Sequence, residues 1–326
     1  MNENINLSHN DMDGAGCNIV LRSKYPDMQT IHSSYNDIAE NIELLSENVT
    51  HLTKRFFVTD LNFDVPSFIA LTRFTITFPH VKVVYIDHHP YEGEVAEIFE
   101  KIKKLPNFIH VHEIGKSATK LCYETIQSTD ENLGKLVGYI NAFDIWLETE
   151  DPANFKIGWF LNTIFWEIKL SGFKINLIKN DYVIPKFFKT MYAEQVENKN
   201  KYIAKMKANN TLIEDHENSV LIAFSDKYKS WFQNDFPNFV VHILPYQSKN
   251  NLSVRIQNNP EVTWAKEMKQ EMVEFIQSYP NTISCGGHDH AFGAAISNDA
   301  PKEDIFSLVE GLSDIAGEYL RKNTGV

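Results

Sequence analysis

The stretch Ser8-His9-Asn10-Asp11-Met12-Asp13-Gly14 follows a short apolar run that contains Ile5 and Leu7. One imidazole and two carboxylates stand at alternate positions. Alternate residues of an extended segment project to the same side. Read as the end of a strand, the segment lets His9, Asp11 and Asp13 converge on a point beyond a sheet edge. Nitrogen and oxygen donors mixed in this way suit a divalent cation such as Mn²⁺. The plain alternative is a solvated polar loop with Gly14 as its turn residue.

Outward from this segment, short apolar runs alternate with helical patterns. Met28–Tyr35, Phe56–Leu61 and Val81–Ile86 read as strands, and Gly14–Lys24, Asp37–Leu45 and the segment opening at Pro66 read as helices. Such alternation implies βαβ units and a parallel sheet. Ligands of parallel sheets sit beyond the carboxyl ends of the strands. His9, Asp60 and Asp87 all fall at or just after such an end. From Ser117 to Trp166 the pattern is mostly helical, and Tyr182 to Ala208 reads as a long polar-faced connector. Three strand-like runs follow, Ser219–Ser225, Phe239–Leu244 and Leu252–Ile256. A helix around Trp264–Ser278 and a last helix over Ile305–Arg321 flank another apolar run, Ala291–Ile296. The expected class is α/β with two lobes: a parallel-sheet domain over residues 1–182, a helical linker over 183–210 and a smaller α/β domain over 211–326.

Composition narrows the function classes. The chain has 326 residues, 43% hydrophobic and 23% charged, an ordinary globular balance with room for two cores. No apolar run approaches the ~20 residues needed to span a bilayer. The start Met1-Asn2-Glu3-Asn4 lacks the basic and apolar regions of a signal peptide. A cytoplasmic protein without a membrane partner is therefore expected. Three widely spaced cysteines, Cys17, Cys122 and Cys285, argue against a disulfide framework. Cys17 is expected inside a helix and Cys285 in a Gly-rich turn. The net charge of −12 disfavours a general grip on long duplex nucleic acid, but leaves room for a short nucleotide.

Four further clusters bear chemistry. Asp60 follows a strand, where an acid is often a helix cap; its interest lies in the expectation that its strand neighbours the first. Asp87-His88-His89 follows the apolar run Val81–Ile86. Adjacent imidazoles face different sides, so one can bind metal while the other faces substrate, and Asp87 can fix an imidazole tautomer. Asp144, on an aromatic-rich helical face, needs a partner because burying it alone is costly; that partner is a metal or a salt bridge. In Cys285-Gly286-Gly287-His288-Asp289-His290 the paired glycines permit close backbone approach. Their N–H groups can cradle an anion, with His288 as an added donor. Arg255 is the fixed cation best suited to share that task. A tight turn and a surface charge are the plain alternatives. Gly115-Lys116-Ser117-Ala118-Thr119 reads as a helix start capped by Ser117 or Thr119, and Trp159, Phe160, Phe165 and Trp166 as core or interface.

The order of these clusters resembles the DHH/DHHA1 phosphoesterase superfamily in its nanoRNase and RecJ-like branch: His-x-Asp-x-Asp-Gly, an Asp after a strand, Asp-His-His, a helical Asp and Gly-Gly-His. The resemblance covers nearly the whole chain. It implies an N-terminal DHH domain and a C-terminal DHHA1-like substrate-binding domain. It also implies two divalent ions, Mn²⁺ or Mg²⁺, activating water for attack on a phosphoester. His9, Asp11 and Asp60 correspond to the ligands of one ion. Asp13, Asp60, His88 and Asp144 correspond to those of the other, with Asp60 shared. His89 corresponds to the catalytic histidine that faces the scissile phosphate, and Arg255, Gly286, Gly287 and His288 to a phosphate grip. Two departures stand out. Cys285 occupies the place of a third glycine found in many relatives, and His9 and Asp11 are closer than the equivalent pair in some. Among family activities, cleavage of very short oligonucleotides from an end is expected. A cyclic-dinucleotide phosphodiesterase, a nucleotide 3′-phosphatase and a nucleotide-sequestering protein are the alternatives. The expected partner is a short oligonucleotide or small nucleotide, with a homodimer left open.

Overall fold

A computed structural model describes residues 3–91, 93–225, 227–228, 231–232, 235–246, 251–256, 264–288, 291–297 and 299–324. The chain divides into two compact units, Met1–Glu194 and Gln195–Val326.

The first unit is built on five parallel strands: β1 (Asn4–His9), β2 (Gln29–Ser33), β3 (Arg55–Thr59), β4 (Lys82–Asp87) and β5 (Phe108–His112), in the order β2-β1-β3-β4-β5. Strands buried on both faces must be apolar on both. In β3, Phe56 and Val58 enter one core with Ile5, Leu7 and Tyr85, while Phe57 enters the other with Val84 and Ile86. The first core is closed by α2 (Ile38–Glu47), α3 (Val65–Thr77) and α4 (Gly93–Ile102). The second is closed by α1 (Met12–Lys24), α5 (Ala118–Ile126), α6 (Glu131–Asp144) and α7 (Pro152–Lys179). Helix α7 is interrupted at Lys169, whose φ of 63° and ψ of 168° are not helical. Helix α8 (Lys186–Ala208) contains the division between the units.

The order of this sheet puts the second strand on one side of β1 and the third on the other. Where neighbouring connections leave in opposite directions, a crevice opens at the carboxyl ends. Here that point lies between β1 and β3. Beneath it the two strands are tied by a buried polar ladder. Asn6 Nδ2 donates to Thr59 Oγ1 at 3.2 Å, and Thr59 Oγ1 to Ser8 Oγ at 2.8 Å.

The second unit holds a six-stranded sheet in the order β10-β11-β9-β8-β7-β6. Its strands are β6 (Leu212–Asp215), β7 (Val220–Ala223), β8 (Val241–Tyr246), β9 (Asn251–Ile256), β10 (Thr282–His288) and β11 (Ala291–Ile296). Among the described residues the β7–β8 pair is parallel and the other pairs of this sheet are antiparallel. One core contains β-branched residues of this sheet with Met268, Met272 and Ile276 of α9 (Ala265–Ser278) and Leu308, Leu312 and Ala316 of α10 (Lys302–Thr324). The fold is thus the α/β class expected, with a parallel sheet and a second, mixed sheet. Strands β5 and β6 were not anticipated; β5 is an edge strand interrupted by His110 and His112, which masks its apolar pattern. Strand β2 is shorter than the expected Met28–Tyr35, because Tyr35–Asp37 forms a 3₁₀ turn. Among the described residues no helix is long and apolar enough to cross a membrane.

Candidate metal centre

The convergence of His9, Asp11 and Asp13 occurs for a different reason from the one the alternation implies. The strand stops at His9 and α1 begins at Met12. Asp11 is the N-cap of α1 and accepts from the Gly14 N–H at 2.9 Å. Asp13 lies in the first helical turn. The helix start folds back over the strand end, and only glycine at position 14 permits this: a Cβ there would lie 2.2 Å from the His9 carbonyl oxygen. Asp13 is held from the other side, where its two oxygens accept from the N–H groups of Ala118 at 2.8 Å and Thr119 at 3.1 Å. Ser117 caps α5, as expected, through the Lys120 N–H.

Asp60 follows β3 in the left-handed region, with φ 56°. Aspartate is one of the few side chains that tolerates this conformation. The reversal turns its carboxyl back over the sheet edge, where it is 3% exposed. Its Oδ2 lies 3.8 Å from His9 Nδ1 and its Oδ1 3.6 Å from His88 Nε2. Asp60 therefore presents one oxygen toward each imidazole. His88 Nε2 also lies 3.5 Å from Asp144 Oδ2, which reaches the centre from the end of α6. Three sets of donor atoms each fit within 4.8 Å: His9, Asp11 and Asp60; Asp13, His88 and Asp144; and Asp60, His88 and His89. The structure thus gathers all six residues proposed as ligands, from the ends of three strands and from two helices.

The charges in this cluster do not balance by themselves. Burial, reinforced by neighbouring carboxylates, pushes Asp60 and Asp144 well above the usual carboxylate range. Burial also raises Asp13. Asp11 is lowered, because the adjacent His9 and the Gly14 N–H outweigh its burial. Burial lowers His88, favouring the neutral imidazole that a metal ligand must be. Three atoms are buried with no hydrogen-bond partner: His9 Nδ1, Asp60 Oδ2 and Asp144 Oδ2. His9 Nδ1 does approach Asp11 Oδ2 to 2.9 Å, but out of hydrogen-bond alignment. Orphaned buried donors and acceptors are costly. Divalent cations at the first two of these groupings would satisfy all three and offset the mutual repulsion of the acids, so the donor set fits such ions.

Asp87 has the supporting geometry expected of it. Its Oδ1 is 2.8 Å from His89 Nδ1, and its Oδ2 accepts from the Tyr91 hydroxyl at 2.9 Å. These bonds outweigh burial and hold Asp87 below its ordinary value, while the same carboxylate overcomes burial to raise His89. Among the described residues no hydrogen bond engages His89 Nε2.

Besides Tyr91, three residues at this edge escaped the sequence reading. Tyr35 lies at ring-centroid distances of 4.5 Å from His9 and 6.5 Å, edge-on, from His89. Burial and then the Asp60 charge push its hydroxyl far above the phenol range. His32 Nδ1 lies 2.7 Å from the His9 carbonyl oxygen, and Lys174 Nζ donates to His32 Nε2 at 2.8 Å. Burial holds His32 down to about 4 and Lys174 to about 8, consistent with a neutral imidazole between them. The available signal was position: β2 also ends at this edge, beside β1.

In the second unit Cys285, Gly286, Gly287 and His288 are not the turn that was expected but part of strand β10. They pair with Ala294, Gly293, Phe292 and Ala291 of β11. Asp289 and His290 lie outside the described residues. Ala291 pairs in turn with Arg255 of β9. His288 and Arg255 therefore stand in one row of the ladder with a single small residue between them.

No family model matches the chain. The Bacillus subtilis oligoribonuclease NrnB is 24% identical over 244 residues, which cover 70% of this chain and 58% of NrnB. The chain thus spans little more than half the length of that curated relative. Among solved structures, the DHH domain of a protein assigned to a family of ribosomal proteins matches with a TM-score of 0.61 at 13% identity. That match covers 96% of this chain and 87% of the other. The pGpG-specific phosphodiesterase PggH of Vibrio cholerae matches with a TM-score of 0.55 at 13% identity, covering 97% and 99%. The two likenesses show the fold. Both matched folds and NrnB are what this chain is similar to, in keeping with the resemblance its ordered motifs carry.

Proposed function

We propose that the chain is a divalent-metal-dependent phosphodiesterase that removes nucleotides from one end of very short oligonucleotides. The observation that carries this reading is Asp60, enclosed between His9 and His88 with an unsatisfied carboxylate oxygen. His9, Asp11 and Asp60 would hold one ion and Asp13, His88 and Asp144 a second, with Asp60 shared. Mn²⁺ suits the mixed donors best, and Mg²⁺ is the alternative. The chemistry such ions would supply there is activation of water and neutralisation of charge on a phosphoryl group.

The protein's own residues do the rest. Asp87 fixes His89 through Nδ1, and the raised pKa favours the protonated imidazole. Protonated His89 can donate from Nε2 to a phosphoryl oxygen or to the leaving oxygen. Tyr91 holds Asp87 in place for this. Arg255 and His288, with the backbone of Gly286 and Gly287, are assigned to hold a phosphate.

A short linear substrate is supported by the named activities of NrnB and PggH and by the acidic charge of the chain. The test is turnover with Mn²⁺ on labelled oligonucleotides from dimers to long single strands, beside cyclic dinucleotides and 3′-phosphoadenosine 5′-phosphate. Fastest cleavage of the shortest linear substrates is expected. Equal rates on long strands, or exclusive action on a cyclic or 3′-phosphate substrate, would overturn the assignment. Metal-replete protein that binds oligonucleotides without turnover would make it a sequestering protein.

A further inference from the structure

The first unit carries a second concavity that the metal centre does not use. It has a volume of about 630 Å³ and lies among α6, α7 and the segment entering α8. Lys135, Lys156 and Lys189 line it, together with the rings of Tyr139, Phe160, Tyr182 and Tyr192, and no carboxylate does. That lining runs against the composition of a chain with 43 acidic and 31 basic residues. Among the described residues no ion pair holds Lys135, Lys156 or Lys189; burial raises Glu148, and the charge of Lys156 opposes that rise. The volume falls within the ~300–1,000 Å³ of small-molecule sites.

Local structure supports the ring walls. Phe160 and Tyr192 meet edge-to-face at 5.1 Å. Asp181 and Tyr182 are both in the left-handed region, at φ 50° and 65°. The Tyr182 N–H donates back to the Leu177 carbonyl at 2.8 Å, which pins this strained turn at the end of α7. On α6, Asn132, Lys135 and Tyr139 are spaced to share one face. Asp144 lies five residues beyond Tyr139, a rotation of about 140° on the helix. The cavity therefore opens on a different face of α6 from the metal centre.

We infer that this cavity is a second binding site, for a mononucleotide, with the base against the aromatic walls and the phosphate among the lysines. Inorganic phosphate would make no use of the rings, and an apolar ligand would make no use of the three lysines. Aromatic faces interleaved with cations are how proteins hold nucleotides without regard to sequence. As a site that senses the product of hydrolysis it rests on the activity proposed above; as a nucleotide site it does not.

The test is photo-crosslinking of the full chain with 8-azidoadenosine 5′-monophosphate, without metal, followed by peptide mapping. Labelled peptides carrying Tyr139, Tyr182 or Tyr192 are expected, with protection by excess adenosine monophosphate. Lys135→Glu/Lys156→Glu, two exposed positions, should cut labelling about tenfold or more at an unchanged melting temperature. Asp60→Asn should leave the labelling intact while ending hydrolysis, so the two readings fail separately. Labelling confined to the metal centre, labelling unaffected by the lysine reversal, or protection by inorganic phosphate or polyglutamate as good as by the nucleotide would overturn the proposal.

Discussion

The two units place their chemistry-bearing residues in opposite ways. In the first, six acids and imidazoles arrive from the carboxyl ends of three parallel strands and from two helices, and no segment contributes more than three. In the second, Arg255, Ala291 and His288 lie in one row of neighbouring antiparallel strands. A parallel sheet points all its strand ends at one edge, so distant segments meet there in a crowded, desolvated cluster. An antiparallel ladder sets donors about 5 Å apart per strand, on a surface that imposes no such crowding. The first arrangement builds up charge that demands a counter-ion. The second can only present a donor here and there.

The largest expected effect tests the first arrangement. Asp60→Asn keeps a residue that tolerates the left-handed backbone but removes the shared charge. It should lower kcat/KM by about 10³-fold or more with Mn²⁺ present, at an unchanged circular dichroism spectrum. Near wild-type turnover would show that the cluster is not the reactive centre.

The second prediction separates the units by pH. His242 on β8 is fully buried and burial lowers it to about 4. It is neutral in the folded chain, whereas the unfolded chain gains a proton near pH 6.5. The wild type should therefore lose stability as pH falls from about 6.5 to about 4, on the order of 3 kcal/mol in full. In denaturant titrations at pH 7 and pH 4.5, His242→Gln should show a smaller loss between the two; an equal loss would remove His242 as its cause.

A third prediction concerns Asp87→Asn. It should reduce kcat by about 10- to 100-fold, with KM nearly unchanged, because it loosens His89 without touching substrate. Activity that requires protonated His89 falls as pH rises through its raised pKa. Without Asp87 that pKa drops, so the alkaline limb of the kcat profile should move to lower pH. A limb that stays in place would exclude His89 as the proton donor. The smallest effect belongs to the second unit. His288→Ala should raise KM about tenfold with kcat unchanged; a large fall in kcat would mean that this row takes part in chemistry.

Much of the first unit is legible in the chain because its strands are buried on both faces. Continuous runs such as Val83–Ile86 can be read without a partner, and the acids that close them mark the carboxyl edge. The six acids and imidazoles that gather at that edge are also legible, through residue type and order. The way His9, Asp11 and Asp13 converge is not. Alternation predicts an extended segment, but the cap made by Asp11 and the missing Cβ at Gly14 start a helix there. Tyr35, His32 and Lys174 carry no motif; adjacency of β2 to β1 brings the first two to the edge, and Lys174 reaches His32 from α7. Cys285-Gly286-Gly287 reads as a turn because glycines favour turns, yet cross-strand pairing with β11 keeps it extended.

The amino-acid order by itself determined the alternation of strands and helices, the parallel sheet and the six acids and imidazoles that are candidate donors, since periodicity and residue chemistry are local properties. The tertiary structure alone decided that Asp60 offers one oxygen to each imidazole, that Asp13 is anchored by the start of α5, and that a lysine- and tyrosine-lined cavity opens beside α6. Those depend on contacts between segments far apart in the chain, and such contacts are set by packing and burial, which no local pattern encodes.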